Sequence, residues 1–328
     1  MTSRRKFIGV LSGGALASIH DTDAQQPPKV WRIGFLSGGS SPADGALPVV
    51  LRQALKELGY VDGKDISYVG RWADAKGDRL PRLAAELVAL RVDLIVTMGG
   101  PAAEAAKKAT PAIPIVFLSA GDAVGTGLIA SLARPGGHVT GLSEQESDLS
   151  AKRLQLLKEA VPTALRIAVL WNADDRAMTH RYLGIESAAR VLGVTIQPLG
   201  VREPDDFGVA FSAMTRERPD ALFLVTDALT SLNRGRVLDF ATAHRIPAMY
   251  EINSVVRDGG LMSYGPDFAD TFRRAAAYVD RIVKGANPSD LPAEQPNNYY
   301  LHLNLSTARA LGLTIPQSLL LRAAEVVQ

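Results

Sequence analysis

The chain has 328 residues, 47% of them hydrophobic and 21% charged, which places it among ordinary globular proteins long enough for two domains. Its formal charge is only +2, which argues against a nucleic-acid polyanion as partner, because that affinity comes from clustered Lys and Arg neutralising phosphates. There is no cysteine, hence neither a disulfide framework nor a lipobox thiol for a lipoprotein anchor.

The first residues read as an address. Ser3-Arg4-Arg5-Lys6-Phe7-Ile8-Gly9 sets a basic region with paired arginines before an apolar run over 8–19 diluted by Gly and Ser, which resembles a twin-arginine export signal. Cleavage after Ala24 fits the small residues Thr22 and Ala24, although Asp21 and Asp23 make a poorer site than A-x-A. The run is shorter than the roughly 20 apolar residues that span a bilayer. Loss of 1–24 removes three bases (Arg4, Arg5, Lys6) and two acids (Asp21, Asp23), leaving about +1. The expected mature protein is free, soluble and periplasmic.

Strands and helices then alternate. A buried strand over 31–36 precedes the loop Ser37-Gly38-Gly39-Ser40-Ser41-Pro42 and a helix over 46–58 closed by Gly59. A strand over 66–69, a helix over 80–90, a strand over 93–98, a helix over 101–109 with Pro at its start, and a β-branched strand over 113–118 follow. The last ends in a small polar loop holding Asp122; beyond Pro135-Gly136-Gly137 a short strand over 138–142 leaves the domain.

The second half repeats the plan, with helices over 151–160, 178–192, 207–214 and 232–244 among strands over 166–170, 194–198, 221–225, 247–250 and 260–264. The helix over 268–284 is expected to return to the first lobe and the strand over 299–305 to cross back. The expected fold is α/β: two doubly wound parallel-sheet lobes, 30–143 plus 265–290 and 144–264 plus 291–328, joined by a hinge of three crossings that favours closure. In such sheets ligands bind at the carboxyl ends of the strands.

Several strings resemble one group: GGPAAEAAKKAT at 99–110, IPIVFLSAGDAVGTGLIASLARPGGHVTGLS at 113–143, AKRLQLLKEAVP at 151–162, the segments IPAMYE to GGLMSYG within 246–265, and the ending NLSTARALGLTIPQSLLLRAAEVVQ. They resemble the substrate-binding proteins of ABC importers of the tryptophan/tyrosine type, with the type I periplasmic-binding fold. The resemblance implies capture rather than catalysis: a monomer whose two lobes close on a small solute and present it to an inner-membrane permease driven by a cytoplasmic ATPase. It implies no cofactor. A sensor subunit signalling to a membrane receptor is the alternative use of the same lobes.

For a carboxylate-bearing ligand, Gly99, Gly100, Pro101 and Ala102 lie between a strand and a helix start, where backbone N–H groups and the helix dipole welcome an anion. A tight turn is the alternative reason for these glycines. Ser37, Gly38 and Ser40 offer hydroxyl or backbone donors to the same end. An ammonium needs a charged acceptor; Asp122, Asp227 and Glu251 each follow an expected strand, though each also suits a helix N-cap or a solvated loop, Asp227 before Ala228 above all. Ser119 belongs to the loop of Asp122, Asn172 is placed to orient either group, and Tyr250 and Tyr264 are candidates for stacking on a ring or for core and hinge packing.

Other chemistries find little support. Gly125-Thr126-Gly127-Leu128-Ile129-Ala130 matches G-x-G-x-x-A but lies several residues past a strand and is cut off by Pro135. Gly141-Leu142-Ser143-Glu144-Gln145 lacks the second glycine of a nucleophile elbow. Histidines 138, 180, 244 and 302 are too scattered to suggest a metal site, and no Walker A lysine loop is present.

Overall fold

A computed structural model describes residues 29–42, 47–144 and 146–328. The expected export signal at 1–24 and the first residue of the expected helix at 46 lie outside the described residues. The first lobe runs β1 (Trp31–Ser37), α1 (Val49–Glu57), β2 (Ile66–Trp72), α2 (Leu80–Ala89), β3 (Leu94–Met98), α3 (Gly100–Ala109), β4 (Ile115–Leu118) and β5 (Val139–Gly141). Its strands pair in parallel in the order β2-β1-β3-β4-β5. β4 is buried along its whole length, as is most of β3, as a sheet covered by helices on both faces requires. α2 shows the matching helical pattern, burying Leu80, Leu83, Ala84 and Leu87 against the sheet.

The second lobe begins with α4 (Glu146–Ala160), β6 (Arg166–Asn172), α5 (Arg176–Leu192), β7 (Thr195–Val201), α6 (Asp206–Arg216) and β8 (Ala221–Leu224). α7 (Ala228–Leu232), α8 (Arg234–Ala243), β9 (Ala248–Tyr250), α9 (Asn253–Arg257) and β10 (Met262–Pro266) follow. After α10 (Phe268–Val283) come β11 (Tyr299–Asn304), α11 (Leu305–Ala310), α12 (Gln317–Leu320) and β12 (Ala323–Val327). The sheet order is β12-β11-β10-β9-β8-β6-β7. Its section β7-β6-β8-β9-β10 reproduces the winding of the first sheet, so the expected pair of doubly wound α/β lobes is what the structure contains.

Three details differ from the expectation. The second sheet is not wholly parallel: β11 pairs antiparallel with β10, because it re-enters from the first lobe at the end where β10 leaves. The helix expected over 232–244 is α8, beginning after a turn at Asn233, and the short α7 before it was not expected; a reciprocal capping box between Asp227 and Thr230 starts it at Ala228. The short elements α9, α11, α12 and β12 carry too few residues to display a period.

α10 leaves the second sheet and packs on the first. Ala275, Ala276, Tyr278, Val279 and Ile282 join Phe35, Val96, Val116 and Leu118 and the α1 residues Leu51 and Leu55 in one core. The Tyr278 hydroxyl donates to the Pro292 carbonyl, fixing the chain that returns to β11. The chain therefore passes between the lobes after β5, after β10 and before β11. The first and third passages run side by side, with Leu142 and Glu294 bridged in parallel.

Because Ile282 is 4% exposed inside that core, Ile282→Ala should cost about 2–5 kcal/mol. Urea unfolding with hydrogen exchange read separately for β1 and β6 checks it: protection in β1 should fall first, and equal loss in both sheets would refute the assignment of α10 to the first sheet.

Candidate ligand-binding cleft

Each sheet has its topological switch point between its first and third strands, β1/β3 in one lobe and β6/β8 in the other. The loops there face each other. A Cβ built on Gly38 after β1 meets Ala228 Cβ at 3.0 Å, and one built on Gly121 after β4 meets Ala177 Cβ at 2.9 Å. Ala75, beyond β2, packs on the apolar core of the second lobe. The lobes are thus closed on one another through small residues. A cavity of about 110 Å³ remains between them, lined by Gly100, Pro101, Glu104 and Thr126 on one side and by Asp174, Asp175, Arg176 and Ala177 on the other. A larger hollow of about 380 Å³ lies between α2 and α3 of the first lobe and shares Pro101 and Glu104 with that cavity.

On the first lobe, α3 begins at Gly100 with Gly99 as its cap, at φ +89°, a conformation open to glycine but strained for other residues. No side chain caps this end, and Pro101 has no N–H to satisfy. Ala102 is buried in the core beneath. The Gly100 backbone lies against the Ala120 carbonyl, which brings the ends of β3 and β4 together. Ser119 sits between them at φ +48°, and its buried Oγ has no hydrogen-bond partner. Ser37 is otherwise engaged, its Oγ accepting from Gly39 N at 3.0 Å; Ser40 is exposed.

On the second lobe, Asn172 and Asp227 end β6 and precede α7, and Asn172 Nδ2 donates to Asp227 Oδ2 at 2.6 Å. Asp227 also caps α7 through Oδ1, which accepts from Thr230 N and Thr230 Oγ1 at 2.9 Å each. An ionised carboxylate has about four acceptor positions, so Asp227 keeps capacity for a further donor.

Asp175, unmarked in the sequence reading, caps α5 by accepting from Ala177 N and Met178 N and is 6% exposed. Burial, and next the nearby Asp227 carboxylate, push its pKa up to about 6. Its sequence signal was an Asp at the N-cap position, obscured because the helix was expected to begin two residues later. The N-termini of α3 and α5 therefore meet across the cavity, with Asp174 and Asp175 on its α5 side.

Three expectations are corrected. Asp122 is exposed and its Oδ1 accepts from Gly125 N at 2.8 Å, so its charge braces its own turn in water instead of lining a desolvated cleft. Glu251 is 5% exposed and already serves Arg153 and Arg181, which removes it as the acceptor for an ammonium. Tyr250 is 1% exposed, inside the core with Leu222, Leu224 and Val237, so its ring cannot stack on a ligand. Tyr264 is half-buried, packed against the core of the second lobe with its ring 6.1 Å from that of Tyr299.

The model of the family described as ABC transporter substrate binding protein matches residues 42–327. A protein named tyrosine-binding protein from Clostridioides difficile (strain R20291) is 27% identical over 261 residues, 80% of this chain and 75% of that one. Among solved structures, a conserved domain protein from Vibrio cholerae covers 91% of this chain and 100% of its own, with 26% identity and TM-score 0.84. An ABC domain in complex with L-Trp from Streptococcus pneumonia has the same coverages, 24% identity and TM-score 0.83. A ligand-free, open substrate-binding protein with adhesive properties from Clostridium difficile, also with these coverages, has 25% identity and TM-score 0.62.

The raised pKa of Asp175 sets a sign. Between about pH 4 and 6 the unfolded chain gives up this proton before the folded one does, so the folded state loses stability as pH rises through that window. The loss is complete above about 6 and is on the order of 3 kcal/mol, one pKa unit being about 1.4 kcal/mol. Asp175→Asn, which keeps the cap, should abolish this slope and raise the neutral-pH melting point; an unchanged pH profile by calorimetry would refute the assignment.

Proposed function

We infer, because this chain belongs to the family of ABC transporter substrate-binding proteins, that it binds a zwitterionic amino acid with an aromatic side chain between its lobes. Members of the family bind solutes outside the cytoplasm and are not enzymes. The observation that carries the reading is the hydrogen-bonded pair Asn172 and Asp227 at one switch point, in closed lobes whose other switch point holds the uncapped start of α3. Ligand ammonium goes to Asp227, with Asp175 adding negative charge nearby. Ligand carboxylate goes to the Gly100 backbone N–H, since that of Gly99 already donates to the Leu118 carbonyl at 2.9 Å, and to the Ser119 hydroxyl. Tyr264, beside Tyr299, takes one face of the ring.

The names of similar proteins support the ligand class, one being a tyrosine binder and another a complex with L-Trp. The closed contacts at Gly38 and Gly121 support capture by lobe closure. The chain delivers its ligand to an inner-membrane permease with a cytoplasmic ATPase, after export through the twin-arginine-like signal at 3–19 to the periplasm, where it works as a monomer.

A thermal-shift screen of refolded protein tests this. L-Tyrosine or L-tryptophan at about 1,000 times its dissociation constant adds roughly 4 kcal/mol to native stability and moves the midpoint by several degrees; a response to sugars alone would refute the amino-acid reading. Asp227→Asn retains the cap but lowers affinity by about 10- to 100-fold, the worth of a charge-assisted hydrogen bond. Asp122→Ala leaves affinity within about twofold, since surface substitutions away from a site have small effects; isothermal calorimetry distinguishes the two variants.

A further inference from the structure

Among the described residues, the largest side chain with less than 2% exposure is a charged one, Arg153 of α4, the first helix beyond the first passage between lobes. Its Nε donates to the Tyr264 carbonyl at 2.7 Å, and its Nη1 lies 3.2 Å from Glu251 Oε1. Arg181 of α5 bonds the same carboxylate through Nη2, and its Nη1 donates to the Thr226 carbonyl at 3.2 Å. Thr226 N donates to Glu251 Oε2 at 3.2 Å.

A buried ion cluster of this kind is a poor way to gain stability, because desolvating the charges offsets their attraction and an apolar cluster of equal volume often does better. Its placement supplies another reason for it. Tyr264 directly precedes Gly265-Pro266, where the chain leaves for the first lobe, and a Cβ on Gly265 would overlap the Glu251 carbonyl, so two backbones touch there with no side chain between them. Thr226 directly precedes Asp227. α5 carries at its start Asp175 and Ala177, the latter meeting Gly121 of the other lobe. One carboxylate and two guanidinium forks thus join the first helix after one passage, the strand before another, and both cleft-facing ends of the second lobe.

We propose that Arg153, acting through Glu251, is a positioning residue that sets the balance between open and closed lobes without touching the ligand. This rests on the solute-binding reading only for its ligand arm. Glu251 transmits in both directions: a ligand on Asp227 stiffens Thr226 and, through Glu251 and Arg153, holds Tyr264 at the passage. The guanidinium matters for its fork as well as its charge, since one side chain reaches both a carbonyl and a carboxylate.

The absence of cysteine makes the test direct. Val61→Cys in the first lobe and Val209→Cys in the second, 52% and 71% exposed, carry spin labels for a distance measurement. With Arg153→Gln added, the ligand-free distance distribution should broaden and extend to longer distances than in the labelled parent. Saturating L-tryptophan should restore the closed distance, with a dissociation rate about tenfold faster, since affinity changes among variants fall mostly on dissociation. A lowered melting point with an unchanged ligand-free distribution would overturn the proposal, leaving Arg153 a structural residue only. If Arg153→Gln does not fold, Arg153→Lys, which keeps the charge and lacks the fork, makes the same comparison. If neither L-tryptophan nor L-tyrosine changes the parent, the ligand reading fails, and the ligand-free comparison still decides the role of Arg153.

Discussion

The chain passes three times between two sheets whose strand ends face each other, and that constraint governs what can be built at the interface. Three connections leave closure as the easiest motion. Closure in turn demands that the loops meeting first be small: Gly38 against Ala228 and Gly121 against Ala177 bring the two lobes within contact of their Cβ positions. Larger side chains at those points would hold the lobes apart and expose the polar ends of the sheets to water. The same passages are knitted to the cleft by Ser143, whose hydroxyl donates to the Gly121 carbonyl at 2.8 Å and accepts from Ala123 N at 3.2 Å.

Electrostatics at the closed interface follow from the fold. A doubly wound lobe places helix N-termini at the carboxyl ends of its strands, so two such lobes set face to face bring like dipole ends together. Asp175 and Asp227, each capping a helix of the second lobe, answer that positive potential, yet burial of Asp175, with the nearby Asp227 carboxylate as the second cause, pushes its pKa up to about 6. In the reading proposed above, a zwitterion suits this arrangement, with its ammonium set against Asp227 and its carboxylate against the uncapped start of α3.

Below the cleft the second lobe uses its buried charges differently. Arg153, Arg181 and Glu251 are all at most 5% exposed and satisfy one another and the strand-end backbone groups. Asp227 and Glu251 each take three partners, but those of Asp227 are the neutral groups of Asn172 and Thr230 at a strand end, whereas Glu251 is held by two guanidinium groups and Thr226 N inside the frame. Sequence position does not distinguish Glu251 from Asp227, since each follows its strand by a residue or two, and only the two arginines arriving from α4 and α5 do.

The alternation of buried strands and amphipathic helices made both lobes legible in the sequence, because a parallel sheet covered on two faces must be apolar along its strands and its helices striped. Gly99-Gly100-Pro101 was legible for a similar local reason, the stereochemistry of a strand passing into a helix. Tertiary structure alone decided the rest. It set the direction of β11, which depends on the edge at which a distant segment returns, and it turned Asp122 onto its own loop and Tyr250 into the core. It also enclosed Glu251 between helices 98 and 70 residues away in sequence, at Arg153 and Arg181. Periodicity records which face of an element is buried; which charged partners meet there depends on how elements far apart in the chain pack together, and no local pattern encodes it.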